Sequence, residues 1–355
     1  MKIPITVAKQ FLQITAITEV NNGCKCIYFT AHNGFNYKPG QYITLLLQIN
    51  SKEVRRPYSL SSFQAVDSLP FITVKCIENG EVSRFLHERA AVGDTYEILP
   101  PNGRFILPDA LPNHLFFLAA GSGISPIFGL IKQALFTAEV NITLVYSNRS
   151  KEETLFYEEL NNFAQTFKNR LTIHWLFSNN KNLSKARLNR FLLEDLVKHE
   201  LGNKMDEVLF YLCGPFAYME MIEITLLTKG FQSEQLLKET FIEPQDDDDD
   251  DGGLIGEDEK PTYVDAVVTI ALKGQVHEIA VQAPQTILEA AISQHIPLLY
   301  SCKKGMCSTC TAQLKNGAVY MHYNQVLTEQ EEKEGRILTC TGHPITNKLH
   351  ISMDE

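Results

Sequence analysis

The chain has 355 residues, 44% hydrophobic and 21% charged, which gives room for two or three packed domains and places it among globular proteins. Of its formal charge of −10, six consecutive aspartates, Asp246–Asp251, supply the larger part, so the remainder is mildly acidic and nothing is basic enough for nucleic acid. No apolar run approaches the roughly 18 residues of a membrane helix, and the N-terminus lacks a secretory pattern, so a cytoplasmic protein without membrane association is expected.

Residues 1–110 alternate short β-rich runs (24–30, 41–49, 71–78 and 95–99) with Gly, Pro and Asn turns. This is the pattern of an all-β barrel or sandwich, with one short helix near Val82–Glu88. Within it lies Arg56-Pro57-Tyr58-Ser59, and Gly80-Glu81-Val82-Ser83 opens the short helix. An arginine can neutralise a pyrophosphate, a tyrosine can stack on a planar ring, and a serine hydroxyl can reach a polar edge. The same four residues could equally be an edge strand with a surface arginine.

Residues 111–243 change pattern. Buried apolar runs (115–120, 142–146, 171–177, 208–213) alternate with segments long enough for helices, such as 127–136 and 216–229. That implies a parallel sheet with crossover helices, which presents a nucleotide at the carboxyl ends of its strands. Gly121-Ser122-Gly123-Ile124-Ser125-Pro126 sits between a strand and a helix, where glycines admit a pyrophosphate and a helix N-terminus supplies N–H groups. Pro126 suits the first helical position. The segment lacks the third glycine of G-x-G-x-x-G, so an ordinary strand-to-helix turn is the competing reading. Residues 244–262, rich in aspartate and glycine, read as a solvated linker.

In residues 263–355 a hairpin turning at Lys273-Gly274 and a helix around Thr286–Gln294 precede a cysteine-bearing loop. Cys302-x4-Cys307-x2-Cys310 with Cys340 has the spacing of plant-type [2Fe–2S] ferredoxins. Two bridged irons need four thiolates, and Gly305, Ser308 and Thr309 are small enough to let backbone amides approach the sulfurs. Structural zinc, the alternative, favours paired C-x2-C spacings. Cys24, Cys26 and Cys76 lie in apolar strand patterns and read as core.

Taken in order, Arg56–Ser59, Gly80 with Ser83, Gly121–Pro126 and Cys213-Gly214-Pro215 resemble the ferredoxin–NADP⁺ reductase superfamily. The C-terminal cysteine loop completes the three-domain arrangement of the reductase components of multicomponent oxygenases, such as that of phenylacetyl-CoA epoxidase. The likeness covers nearly the whole chain. It implies a Greek-key FAD-binding barrel (1–110), an α/β parallel-sheet NAD(P)-binding domain (111–243), the acidic linker (244–262) and a β-grasp ferredoxin domain (263–355). It implies that Arg56, Pro57, Tyr58, Ser59, Val74, Gly80, Val82 and Ser83 form the FAD site, with Ser83 at the pyrophosphate. Gly121, Gly123, Ser125, Pro126, Cys213, Gly214 and Pro215 would flank the nicotinamide nucleotide, although Cys213 could be only a buried strand-end thiol. Phe241, in Glu239-Thr240-Phe241, would lie near the flavin. Ser125 departs from the commoner threonine but keeps the hydroxyl.

NAD(P)H gives up electrons in pairs, whereas a [2Fe–2S] cluster takes one at a time, so a flavin between them is required and no side-chain acid or base is. Ser147 and Arg149 end the strand after the glycine loop, and Arg187 adds a second positive charge, which favours NADPH over NADH since no acidic residue is evident there. The expected function is an oxidoreductase passing electrons from NAD(P)H to FAD to the cluster to a protein acceptor such as an oxygenase component. The alternative is a stand-alone enzyme reducing oxygen, ferric complexes or quinones.

Overall fold

The computed structural model describes residues 10–21, 23–30, 35–182, 186–202, 204–241 and 261–354. The acidic linker anticipated at 244–262 lies outside the described residues except for its last two positions. Two compact units result, one spanning Gln10–Phe241 and one lying beyond it.

The larger unit begins with β1 (Gln10–Asn21), β2 (Cys24–Phe29), β3 (Tyr42–Ile49), β4 (Lys52–Ser59), β5 (Phe71–Lys75), α1 (Glu81–Glu88) and β6 (Thr95–Asn102). The strands pair antiparallel in the order β4-β3-β6-β1-β2-β5, and the two edges approach at an isolated Leu60–Ile72 bridge that nearly closes the barrel. Leu12, Ile14, Ile27, Phe29, Ile43, Leu45 and Val74 fill it, and Val82 and Leu86 of α1 plug one end. Neither β1 nor β4 has a strand-like apolar alternation in the sequence. Both carry polar residues along an exposed face, and Pro57, which has no N–H to give a ladder, fits β4 because β4 is an edge.

The chain continues through β7 (His114–Ala120), α2 (Ile124–Thr137), β8 (Asn141–Asn148), α3 (Tyr157–Thr166), β9 (Leu171–Phe177), α4 (Arg190–Leu201), β10 (Val208–Cys213), α5 (Phe216–Thr228) and β11 (Leu236–Glu239). All five strands are parallel in the order β11-β10-β7-β8-β9, and covering on both faces explains the unbroken apolar runs of β7, β8 and β10. The strand order reverses between β7 and β10, which is where a doubly wound sheet opens a crevice. Barrel residues Cys24, Cys26, Phe71 and Phe105 share one core with β7, α2 and β8, so the barrel and the parallel sheet pack into one compact unit.

The second unit contains β12 (Ala266–Leu272), β13 (Gln275–Val281), α6 (Ile287–Ser293), β14 (Thr311–Asn316), β15 (Val319–Met321), α7 (Glu329–Lys333), β16 (Arg336–Leu338), β17 (Gly342–Pro344) and β18 (Lys348–Ser352). The mixed sheet β13-β12-β18-β14-β16, with β12 and β18 parallel, is a β-grasp packed against α6. The hairpin turns where expected, with Lys273 and Gly274 both at positive φ (50° and 71°), as a type I′ turn requires. Thr286 caps α6 reciprocally with Glu289, the signature of a helix start.

Two expectations are corrected. Pro126 is the third residue of α2, not the first, because a 3₁₀ turn at Gly121–Gly123 runs directly into the helix at Ile124. A proline is tolerated there because the first helical N–H groups have no intrahelical acceptor. Cys24 and Cys26 are core, but Cys76, just past the end of β5, is only half-buried. Among the described residues no helix is long and apolar enough to cross a membrane.

Candidate functional site

The glycine loop and the Cys213–Pro215 segment come together at the point where the strand order reverses. A Cβ on Gly123 would stand 2.1 Å from the Cys213 carbonyl oxygen, so only glycine lets the loop pass this close to the end of β10. Gly121 holds a left-handed φ of 54°, and its carbonyl accepts from the Tyr146 hydroxyl at 3.0 Å. Ser125 Oγ donates to Ser122 O at 2.8 Å, tightening the turn into α2. Pro215 is the N-cap of α5, so two helix starts face one crevice.

Ser147 and Asn148 end β8 beside this crevice. Ser147 Oγ neighbours the Tyr218 hydroxyl, which already donates to Ala119 O at 3.2 Å, and Asn148 Nδ2 neighbours the Tyr146 hydroxyl, which is engaged with Gly121. Both polar atoms are buried without a hydrogen bond of normal geometry. Buried groups left in that condition fit a site that takes hydroxyl or phosphate partners from a nucleotide. Arg149 and Arg187 are exposed, and Arg149 makes only a loose 3.8 Å pair with Glu153.

On the barrel side, Arg56 and Tyr58 alternate with Pro57 and Ser59 along the edge strand β4. Burial pushes the Tyr58 phenol well above its usual range, with the Arg56 guanidinium opposing. Ser59 Oγ donates to Glu239 Oε2 at 3.1 Å, joining the barrel strand to β11. Glu239 pairs in register with Cys213, so the ends of β4, β10 and β11 meet. Cys213 is fully buried, and burial together with the Glu239 carboxylate raises its thiol. Phe241 follows two residues later, 36% exposed.

The helical start of α1 is stitched by Ser83, whose Oγ accepts from Ile77 N at 3.1 Å and donates to Gly80 O at 3.3 Å. A Cβ on Gly80 would fall 2.3 Å from that hydroxyl. Val74 and Val82 are buried at 0% and 1% exposure, so their side chains serve the barrel core.

In the second unit, Cys302, Cys307 and Cys310 lie on one loop and Cys340 follows β16. The Lys304 and Met306 amides donate to Cys302 Sγ at 3.3 and 3.4 Å, and the Cys302 amide to Cys307 Sγ at 3.4 Å. Hydrogen bonds from the Cys307 and Cys340 thiols hold Cys302 below the usual thiol range and push those two thiols up in turn, which shows the three sulfurs in mutual contact. Lys303 and Ser308 take left-handed φ values of 59° and 53°. At Gly305 (φ 69°) a Cβ would meet Tyr323 O at 2.7 Å. Four converging thiols with amides aimed at sulfur match a [2Fe–2S] ligand set.

Glu239 and the pair Lys132–Asp67 escape a reading of residue types alone. A four-residue strand carries too little pattern to announce itself, and the partial burial of Glu239 comes from tertiary pairing.

Families of known proteins match the chain in three stretches. The oxidoreductase FAD-binding domain family matches residues 12–106, the oxidoreductase NAD-binding domain family 117–223, and the 2Fe-2S iron-sulfur cluster binding domain family 270–344. The chain is 30% identical over 357 residues to the ferredoxin reductase component of 3-ketosteroid-9-alpha-monooxygenase from Rhodococcus rhodochrous, covering 99% of each. It is 29% identical over 327 residues to one subunit of 1,2-phenylacetyl-CoA epoxidase from Escherichia coli, covering 90% of this chain and 89% of that one. Phthalate dioxygenase reductase, a solved structure, superposes with a TM-score of 0.60 at 21% identity over 98% of each chain.

Burial pushes the Glu239 carboxyl from 4.5 up to about 8, with the Ser59 hydrogen bond opposing. Between those values the unfolded chain has lost this proton and the folded one keeps it, so this group's contribution to stability falls as pH rises from 4.5 to about 8. Glu239→Gln is expected to flatten that slope, so its melting temperature gains on the wild type as pH rises. Parallel melting temperatures across that window would mean that Glu239 is already ionised in the fold.

Proposed function

The chain belongs to the family of oxygenase reductase components that join an FAD-binding domain, an NAD-binding domain and a 2Fe-2S domain, and from that premise we propose that it draws electrons from NADPH for an iron-containing oxygenase. It is an NAD(P)H-dependent oxidoreductase whose cofactors are FAD and a [2Fe–2S] cluster. FAD, when bound, turns the electron pair of the nicotinamide into single electrons suited to the cluster.

The observation that carries the reading is the Ser59–Glu239 hydrogen bond, which draws the end of the Arg56–Ser59 strand onto the strand paired with Cys213. In the proposal Arg56, with the Gly80–Ser83 turn, neutralises the FAD pyrophosphate. Tyr58 and Phe241 bracket the ring system, Ser59 faces its polar edge, Pro57 walls the cavity, and Val74 and Val82 support it from the barrel core. Gly121, Gly123, Ser125 and Pro126 cradle the nucleotide pyrophosphate at the start of α2, where N–H groups converge. Cys213, Gly214 and Pro215 hold the nicotinamide in place. Glu239, whose carboxyl burial pushes up to about 8, joins the two motifs through its bond to Ser59 and its pairing with Cys213. Cys302, Cys307, Cys310 and Cys340 ligate the cluster.

Arg149, one residue past the end of β8, with Arg187, supports a 2′-phosphate and hence NADPH. The domain boundaries that fit this reading are 1–110, 111–243, 244–262 and 263–355. Clustered cysteines kept as thiols suit a reducing compartment, which supports the cytoplasm.

Replacing Cys307 by Ser is expected to abolish NADPH-driven reduction of a purified diiron or Rieske oxygenase partner while ferricyanide reduction continues at the wild-type rate. Undiminished partner reduction would remove the cluster from the route. Arg149→Ala should raise the apparent KM for NADPH by roughly tenfold while leaving that for NADH nearly unchanged, the size expected for one lost charge-assisted contact. Equal effects on both nucleotides would defeat the assignment.

A further inference from the structure

Lys132 lies on α2 and is 1% exposed although it carries an ammonium group. Its Nζ donates to Asp67 Oδ2 at 2.5 Å and stands over the rings of Phe128 (4.2 Å) and Phe71 (5.0 Å). Asp67 belongs to the loop between β4 and β5, and the same Oδ2 accepts from Phe63 N at 2.6 Å. One carboxylate oxygen therefore holds both the loop's own turn and the helix.

Gly129, three residues before Lys132, faces the same loop. A Cβ there would stand 3.0 Å from Ser62 O and 3.4 Å from Leu60 O, so helix and loop touch backbone to backbone. The loop is in turn fixed to the barrel: Ser62 Oγ is bonded to the Tyr37 hydroxyl at 2.6 Å and accepts from Phe71 N at 3.1 Å.

A buried ammonium is costly unless paired, and an apolar side chain of similar size at such a position is often as stable or more so. Stability alone therefore does not account for a lysine here. Apolar surfaces can slide past one another, whereas an ion pair fixed between two aromatic rings has one geometry. The two elements it joins are the ones that matter. The helix begins at the Gly121–Pro126 loop, and the barrel loop directly follows the Arg56–Ser59 strand.

We propose that Lys132 is a positioning residue for electron transfer from nicotinamide to flavin: through Asp67 it locks α2 to the loop after β4, and so fixes the separation of the nucleotide and flavin motifs. This rests on the assignment of those motifs above. Transfer between two bound rings is steeply sensitive to geometry, and a displacement of about 1 Å can slow a reaction on the order of a hundredfold.

The test uses the full-length, FAD-loaded protein and two variants, Lys132→Met and Gly129→Ala. The first removes the ion pair and the second crowds the helix against the loop by a few tenths of an ångström without touching a charge. Stopped-flow bleaching of the flavin at saturating NADPH, expressed per bound flavin, is expected to slow by roughly tenfold or more, with the half-saturating NADPH concentration little changed. Hydrogen–deuterium exchange without nucleotide is expected to quicken together in segments 61–70 and 124–137. A limiting rate per flavin that is unchanged in Lys132→Met overturns the proposal whatever Gly129→Ala does, as does exchange that quickens in only one segment. A wild-type protein that binds no flavin instead removes the motif assignment and the transfer role with it, and exchange then decides the clamp alone.

Discussion

A helix that is apolar on every side must be covered on every side, and α2 is such a helix, buried from Ile124 to Leu135 apart from Gln133. The parallel sheet covers one flank and the barrel covers the other, which is why Cys24, Phe71 and Phe105 belong to the same core as Leu115, Ile127 and Leu144. Most of the larger unit follows from this. The start of the helix is the glycine loop, so covering its length with barrel residues sets that loop beside the Arg56–Ser59 strand. The Ser59–Glu239 bond and the Lys132–Asp67 pair then pin the arrangement at two separate places.

The second unit answers a different constraint. Four thiolates must converge on two irons, and a chain can achieve that only by turning sharply. Lys303, Gly305 and Ser308 all adopt positive φ within the loop, while the β-grasp beneath it supplies Cys340 from the end of β16. The amides of Lys304 and Met306 point at Cys302 Sγ, so the loop that carries the ligands also supplies the hydrogen bonds that tune them.

The parts of the fold that could be read from the chain are those where one local requirement dictates residue type. Cluster ligation dictates the cysteine spacing, burial on both faces dictates the unbroken apolar runs of β7, β8 and β10, and a type I′ turn dictates Lys273-Gly274. The parts that could not be read are those set by partners distant in sequence. β1 and β4 each expose a polar face and so lack a clean apolar signature, and β11 is four residues long. Glu239 looks like a surface residue until β10 and β4 close over it. Lys132 looks like the solvent-facing lysine of an ordinary helix until Asp67, sixty-five positions earlier, reaches it. Of the candidate site, the glycine loop, the Arg56–Ser59 strand and the cysteine loop were visible as motifs, whereas the bonds joining them were not.

The central claim is an ordered passage of electrons from NAD(P)H through FAD to the cluster within one chain. The most direct measurement is an anaerobic titration of the purified protein with NADPH, followed by visible absorbance and low-temperature EPR. The account predicts bleaching of bound flavin accompanied by a rhombic S = 1/2 signal from a reduced [2Fe–2S] cluster. A protein that holds no flavin, or whose cysteines hold zinc and remain EPR-silent after full reduction, would contradict it.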